Sequence, residues 1–228
     1  TQRFFRLAVE AGVQKGVLLS SYFAYFDRAW PELALSEHHP YIRSRVEQEA
    51  AALAVTGGRL NLSILQLPYI FGNMPGRRPL WKPVIDYLHG PLPWVFYMQG
   101  GSAMVGVESV AEAVVGALER GLGGERYQIG DENLAWTDWL KRMMDAAGLD
   151  KAVVVLPQGL IRMGLWGLAG WHQIRGLEGG LDPVRFLDLQ TRETFFDPRP
   201  AQQALGFSGG TLDHAFRETI KGCGYAIE

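Results

Sequence analysis

The sequence predicts an α/β protein, because segments typical of strands alternate with segments typical of helices. The strand candidates are Val13 to Ser21, Leu60 to Leu67, Met104 to Glu108 and Tyr127 to Gly130. Between the first two lies an alanine-rich helix candidate, Tyr41 to Thr56, and two glycines follow it. Strands alternating with helices are the pattern of a sheet with helices packed against it.

The remaining segments are assigned by spacing and by capping signals. Apolar residues at helical spacing predict a first helix over Gln2 to Gly12. Tyr22 to Pro40, which contains two prolines and two histidines, is predicted to be an irregular loop. Ser109 and Glu112 are spaced as a capping box at the start of another helix, and Thr211 is the predicted cap of the final helix.

Composition places limits on the partners of the protein. The chain has 228 residues, of which 47% are hydrophobic and 11% aromatic, enough for one sizeable core. The formal net charge is -2 and no basic block stands out, so we expect no nucleic-acid partner. Cys223 is the only cysteine, which excludes an intrachain disulfide and suits a reducing cytoplasmic location.

No uninterrupted apolar run reaches the roughly 18 residues that a membrane-spanning helix needs. The most apolar stretch is Ala152 to Trp171, and Pro157, Gln158 and Arg162 interrupt it. Its aromatic and methionine residues have two interpretations, the core of a small C-terminal domain or an apolar lid over a hydrophobic substrate. No signal peptide is visible. We therefore expect no membrane span and a cytoplasmic protein.

A candidate catalytic set lies where an apolar run meets the next predicted helix. The run ends in Ser20 and Ser21, which a buried strand would present at its end. Tyr41 and Arg45 are four residues apart, so on a helix they share one face. A hydroxyl, a phenol and a positive charge in one cleft make a proton-transfer site for a carbonyl or an alcohol. The alternative is a tyrosine packed over the loop, with Arg43 and Arg45 as solvated charges.

This arrangement resembles the extended, epimerase/dehydratase-like branch of the short-chain dehydrogenase/reductase superfamily. In that family a serine follows a strand, and a Tyr-x-x-x-Lys motif lies on the next helix. Ser21 matches the family serine because it lies four residues before Tyr25, where the family's strand-exit motif usually has its own tyrosine. Ser20 is the second choice. Tyr41 matches the catalytic tyrosine. Arg45 stands at the position of the lysine, and unlike lysine it cannot release a proton.

The resemblance covers almost the whole chain and implies a cofactor, NAD or NADP. The segment Pro68 to Gly72 resembles the family segment that lines the nicotinamide end of the cofactor site, with Leu67 at the position of an arginine. Tyr127 to Gly130 resembles the last sheet strand, and Leu205 to Phe207 resembles the closing helix. Within the branch, dihydroflavonol-reductase and 3β-hydroxysteroid-dehydrogenase relatives look most similar. The residues implied in cofactor binding are Arg45, Pro68, Tyr69 and Ile70.

The fold that the resemblance implies is a Rossmann-like parallel sheet with a smaller, mostly helical substrate domain. Residues 1–72 and 106–134 are assigned to the sheet domain, and 73–105 and 135–228 to the substrate-binding cap. No G-x-G-x-x-G motif opens the chain, although in the family this loop holds the cofactor pyrophosphate. We therefore expect the C-terminal part of a longer enzyme. The alternative is that the cofactor half has been lost.

The function implied by the resemblance is an NAD(P)-dependent oxidoreductase or epimerase that acts on an alcohol or ketone, with Tyr41 as proton donor or acceptor. The expected partners are a small-molecule substrate, apolar or nucleotide-linked, and a second copy of the chain. The alternative is a catalytically silent relative that binds a small molecule or a protein, which Arg45, Leu67 and the absent glycine loop favour. His38 and His39 have no further ligands at metal-binding spacing, so no metal site is predicted.

Overall fold

The computed structural model describes residues 1–165 and 181–227. The helices are α1 (Gln2–Glu10), α2 (Phe23–Ala29), α3 (Leu35–His38), α4 (Pro40–Thr56), α5 (Lys82–Leu88), α6 (Val107–Arg120), α7 (Trp136–Ala146), α8 (helical over 158–165), α9 (Pro183–Gln190), α10 (Arg199–Leu205) and α11 (Leu212–Gly222). The strands are β1 (Lys15–Ser21), β2 (Asn61–Leu67), β3 (Tyr69–Phe71), β4 (Trp94–Tyr97), β5 (Gly101–Gly106), β6 (Arg126–Gln128), β7 (Glu132–Ala135), β8 (Ala152–Val155) and β9 (Glu193–Thr194).

The main sheet confirms the predicted α/β class. Its strand order is β1-β2-β6, and both neighbouring pairs are parallel. The central strand β2 is buried on both faces: Leu62 and Ile64 pack with Ala52 of α4, whereas Leu65 packs with Ala113 of α6. Helices therefore cover both sides of the sheet, which is the Rossmann-like layering that was expected.

The register of β1 and β2 brings two chain segments together at one edge of the sheet. Ser21, the last residue of β1, is paired with Leu67, the last residue of β2. The backbone N–H of Tyr22 donates to the carbonyl of Leu67 at 3.0 Å. Because both strands are parallel, their carboxyl ends meet there, and ligands of open α/β sheets bind beside such ends.

Two smaller sheets lie beside the main one. In the first, β5 pairs with β3 and β9 in parallel and with β7 antiparallel. In the second, β4 pairs with β8 in parallel. Since β3 falls in the predicted sheet domain and most of β5 in the predicted cap, the two assigned parts share a sheet. The division at 72 and 106 stays a prediction.

The irregular loop predicted over Tyr22 to Pro40 is wrong for much of its length. Two short helices, α2 and α3, and a 3-10 turn at Pro31–Leu33 occupy it. Phe26 of α2 and Leu35 of α3 are both buried in one aromatic-rich cluster, and this packing stabilises the two helices. The prolines of the segment had favoured the loop prediction. Ala34 in the left-handed region (φ 45°) separates the turn from α3.

The predicted capping box at Ser109 and Glu112 is also wrong. Helix α6 begins two residues earlier, at Val107, and the Ser109 hydroxyl lies 2.9 Å from Thr211 Oγ1. Thr211 does occupy the N-cap position of α11, as predicted, but its hydroxyl donates to Asp131 Oδ2 at 3.0 Å. The hydroxyls of Ser109 and Thr211 therefore make hydrogen bonds to residues distant in the sequence, and neither caps its own helix.

The apolar stretch after β8 is described only in part. Helix α8 covers residues 158–165, and Leu160 and Met163 are exposed there. Trp166 and Trp171, which belong to the predicted core or lid, lie outside the described residues. Among the helices of the described ranges, none has the length and apolar character needed to cross a bilayer.

Candidate active site

A cavity of about 850 Å³ lies at the carboxyl ends of β1 and β2. Its position follows from the topology, because the chain leaves both strands on the same side of the sheet. The start of α4 and the segment from β3 to α5 supply further walls. Every site residue predicted from the sequence lines this cavity: Ser20, Ser21, Tyr41, Arg45, Pro68, Tyr69 and Ile70.

Ser21 is held with its proton free for a ligand. It is buried at the end of β1, and its Oγ accepts the backbone N–H of Phe23 at 3.3 Å. No other hydrogen bond to this hydroxyl occurs within the described parts of the chain. Because the oxygen already accepts a bond, its O–H is left to donate to a substrate oxygen.

Ser20 has a different partner. Its Oγ donates to Glu49 Oε1 at 2.7 Å, and Glu49 is only 1% exposed. Gln66 Nε2 and Arg126 Nε also donate to this carboxylate, at 2.7 and 2.8 Å. The Ser20 hydroxyl thus belongs to a polar cluster between α4 and the sheet, whereas Ser21 points to the opposite side, as strand alternation requires.

Tyr41 and Arg45 share a face at the start of α4, as their spacing predicts. Tyr41 is 37% exposed, and its hydroxyl makes no hydrogen bond to any described residue. The guanidinium carbon of Arg45 lies 5.1 Å from the centroid of the Tyr41 ring, and Nη1 donates to Gln48 Oε1 at 2.8 Å. Arg45 Nε is buried and lacks a partner among the described residues. The cation therefore attracts the ring face of the phenol.

The segment Pro68 to Ile70 forms a fixed apolar wall. Pro68 has no N–H to continue the ladder of β2. The Tyr69 hydroxyl accepts a hydrogen bond from Gln190 Nε2 at 2.9 Å, and Trp81 Nε1 donates to the carbonyl of Ile70 at 2.8 Å. Trp81 also stacks on Phe71, with centroids 4.5 Å apart. These contacts hold the aromatic side of the cavity in place.

Two further tyrosines line the cavity, and both stay protonated near neutral pH. Burial raises the pKa of Tyr22 to about 12, although the nearby Ser102 hydroxyl, 2.8 Å away, lowers it. Burial likewise raises the pKa of Tyr69 well above its usual value, and the neighbouring Tyr22 raises it further. Both hydroxyls are also engaged in hydrogen bonds, whereas the hydroxyl of Tyr41 has no partner among the described residues.

Several lining residues were not found by sequence reasoning. Phe186 comes from α9, far along the chain, and packs edge to face against Phe23 with centroids 5.7 Å apart. No short sequence pattern predicts a contact between residues so far apart in the chain. Arg77 and Arg78 also line the cavity. They form the only pair of adjacent arginines in the sequence, which was an available signal.

The histidine pair lies outside this cavity and takes part in structural contacts. His39 is buried and accepts the backbone N–H of Asp182 at Nδ1, at 3.1 Å. His38 Nε2 lies 2.8 Å from Arg185 Nη1. Within residues 1–165 and 181–227, no group of three or more histidine, cysteine or acidic side chains is placed to hold a metal ion.

The fold is shared with solved structures of known proteins. A protein called gox2253 matches with a TM-score of 0.74 at 24% identity, over 97% of this chain and 69% of the other. A nucleoside-diphosphate-sugar epimerase from Pseudomonas aeruginosa, PA4631, matches at 0.69 and 18%, over 96% and 69%. RMD from the same organism, complexed with NADPH, matches at 0.61 and 13%, over 92% and 66%. The fold implied by the resemblance is thereby confirmed.

The chain spans about two thirds of the length of these three solved structures. No family model matches the sequence, and neither does any curated protein. At such identities the likeness shows the fold, and the function must be argued from the site.

Proposed function

We propose that this chain carries the catalytic residues of an NAD(P)-dependent oxidoreductase or epimerase that acts on an alcohol or a ketone. The observation that carries the proposal is the meeting of Ser21, Tyr41 and Arg45 at one cavity beside the carboxyl ends of parallel strands. Further support comes from two similar folds, one a nucleoside-diphosphate-sugar epimerase and the other complexed with NADPH.

The lining residues fit the nicotinamide end of such a cofactor. Pro68 and Ile70 offer an apolar wall for a flat ring, and the guanidinium of Arg45 in the lining is a donor group suited to a ribose hydroxyl. The sequence has no G-x-G-x-x-G loop, so the residues shown here do not account for the pyrophosphate. When bound, the cofactor would supply or accept the hydride.

The side chains of the cavity then have separate tasks. Ser21 donates a hydrogen bond to the substrate oxygen and polarises it. In the reductive direction, Tyr41 Oη gives its proton to that oxygen and regains one from solvent. In the oxidative direction the proton moves the opposite way. Arg45 stays charged throughout and stabilises the phenolate without relaying protons.

A second candidate function is a catalytically silent binding protein. It is favoured by the position of Arg45, whose guanidinium lies over the ring of Tyr41 instead of bonding to the phenol oxygen. Such a protein would keep the cavity and bind a small molecule without turnover.

Titration of the full-length protein with NADH and NADPH separates the two functions. The enzyme proposal predicts a saturable rise in nicotinamide fluorescence, and NAD(P)-dependent turnover over a panel of alcohols and ketones. A lack of binding at millimolar cofactor contradicts the proposal. Binding without any turnover supports the silent alternative.

A further inference from the structure

The walls of the cavity are mostly apolar, and aromatic side chains form a large share of them. Tyr69 and Trp81 contact edge to face at 5.3 Å, and Trp81 stacks on Phe71. Phe23 packs edge to face against Tyr41, with centroids 6.4 Å apart. Surfaces of this kind remove flat apolar groups from water, at roughly 25 cal/mol per Å² buried.

Few polar groups in the cavity remain for a ligand rich in hydroxyls. The Tyr22 hydroxyl is bound to Ser102 and that of Tyr69 to Gln190. Beyond the hydroxyls of Ser21 and Tyr41 and the arginines, Asn73 is the only amide side chain that the described residues contribute to the lining. Each ligand hydroxyl buried without a partner would cost about 1–3 kcal/mol, so the wall selects against a bare sugar.

The charged groups of the lining all have one sign. Among the described residues, Arg45, Arg77 and Arg78 line the cavity and no carboxylate does. Arg45 is engaged with Gln48 and the ring of Tyr41. Arg77 and Arg78 are exposed, and neither forms an ion pair with any described residue. Their charges are thus available to an anionic group.

We propose that the substrate is a flat apolar alcohol or ketone with one anionic end, its oxygen at Ser21 and Tyr41 and its anion at Arg77 and Arg78. This proposal rests on the proposed function, since it names the substrate class of that site. It distinguishes this cavity from one made for an uncharged apolar compound and from one made for a sugar.

Three probes test the proposal by calorimetry with the full-length protein: a biphenyl carboxylate with a para-acetyl group, the matching carboxamide, and UDP-glucose. We expect the carboxylate to bind about tenfold more tightly than the carboxamide. The double variant Arg77→Gln/Arg78→Gln should lose this advantage and bind the carboxamide as before. Arg43→Gln, an exposed arginine outside the cavity, is the control.

Equal affinities for the two biphenyl probes, or an advantage that survives in the double variant, would overturn the proposal. Tighter binding of UDP-glucose than of the carboxylate would also overturn it. Added salt should weaken the carboxylate only, because exposed charges are screened. Binding is measured without turnover, so an inactive protein that still prefers the carboxylate contradicts the enzyme function and leaves the charge assignment standing.

Discussion

Ser20 Oγ donates a 2.7 Å hydrogen bond to the buried Glu49 carboxylate, whereas the next residue, Ser21, keeps its proton free at the cavity. Two adjacent serines therefore have different tasks. Ser20 joins the sheet to α4, and Ser21 is the candidate for substrate contact. From the sequence alone, the two serines could be ranked only by their spacing from Tyr25.

This division predicts different effects for two alanine variants. Ser20→Ala should lower the free energy of unfolding by about 1 kcal/mol with little change in turnover. Ser21→Ala should cost a similar amount of stability, because it removes the acceptor of the Phe23 N–H, but it should also lower kcat about 100-fold, as the loss of a donor to a reacting oxygen does. Urea unfolding and steady-state kinetics measure the two effects. A large fall of kcat in Ser20→Ala and not in Ser21→Ala would assign the catalytic hydroxyl to Ser20.

Glu49 is expected to be a main contributor to stability. Ser20, Gln66, Arg126 and Arg28 all lie within hydrogen-bond distance of its carboxylate. Glu49→Gln should lower the free energy of unfolding by about 3 kcal/mol, because it leaves cations and donors without their charged partner.

The matched control for this effect is Glu47→Gln, an exposed residue on the same helix. Its change should stay within about 0.5 kcal/mol. Equal losses in the two variants would show that the buried cluster has no special role. A loss at Glu49 with an unchanged denaturant m-value would confirm it.

Arg45 should matter for its charge more than for its shape. Arg45→Gln is expected to lower turnover at least about tenfold, because the positive charge beside the ring of Tyr41, which would stabilise the transition state of proton transfer, is then lost. Arg45→Lys should keep turnover or raise it. Arg43→Gln on the same helix is the control. Full turnover in Arg45→Gln would exclude the guanidinium from the mechanism.

The burial of His39 leads us to expect that the protein loses stability in mild acid. Burial lowers its pKa from 6.5, with Asp182 opposing this shift and His38 and Arg185 adding to it. The unfolded chain therefore binds a proton first, so stability is complete above about pH 6.5 and declines as the pH falls toward the folded-state pKa. Protonation also removes the acceptor for the Asp182 N–H.

Thermal unfolding at several pH values between about 5 and 7 measures this dependence. His39→Gln keeps an acceptor without a titrating group, and its stability should vary less in this range. His89→Gln serves as the control histidine. A wild-type slope that persists unchanged in His39→Gln would assign the effect to other groups.

The parts of the site that depend on local pattern were predictable from the sequence. The apolar run of β1, the alanines of α4 and the left-handed Gly57 (φ 50°) that follows α4 define the elements carrying Ser21, Tyr41 and Arg45. The four-residue spacing on α4 then fixes the shared face. Periodicity and propensity are local signals that extend over one helical turn or one strand, and they are sufficient to predict these elements and the face that Tyr41 and Arg45 share.

The features that depend on distant contacts were not predictable. Ser109 resembled a helix cap, but its hydroxyl partner is Thr211, from another helix. Phe186 reaches the cavity wall from α9. Helix α2 was missed because the segment that contains it also has two prolines and two histidines. Its formation is explained by the burial of Phe26. Tertiary packing decided each case.

The most direct test of the account is the turnover of Tyr41→Phe with NAD(P)H and the preferred ketone. The variant removes one oxygen atom that bonds to no described residue, so the fold should be unaffected. We expect turnover to fall about 100-fold or more, with Tyr25→Phe unchanged as the control phenol outside the cavity. Full turnover in Tyr41→Phe would contradict the proposal that this phenol transfers the proton.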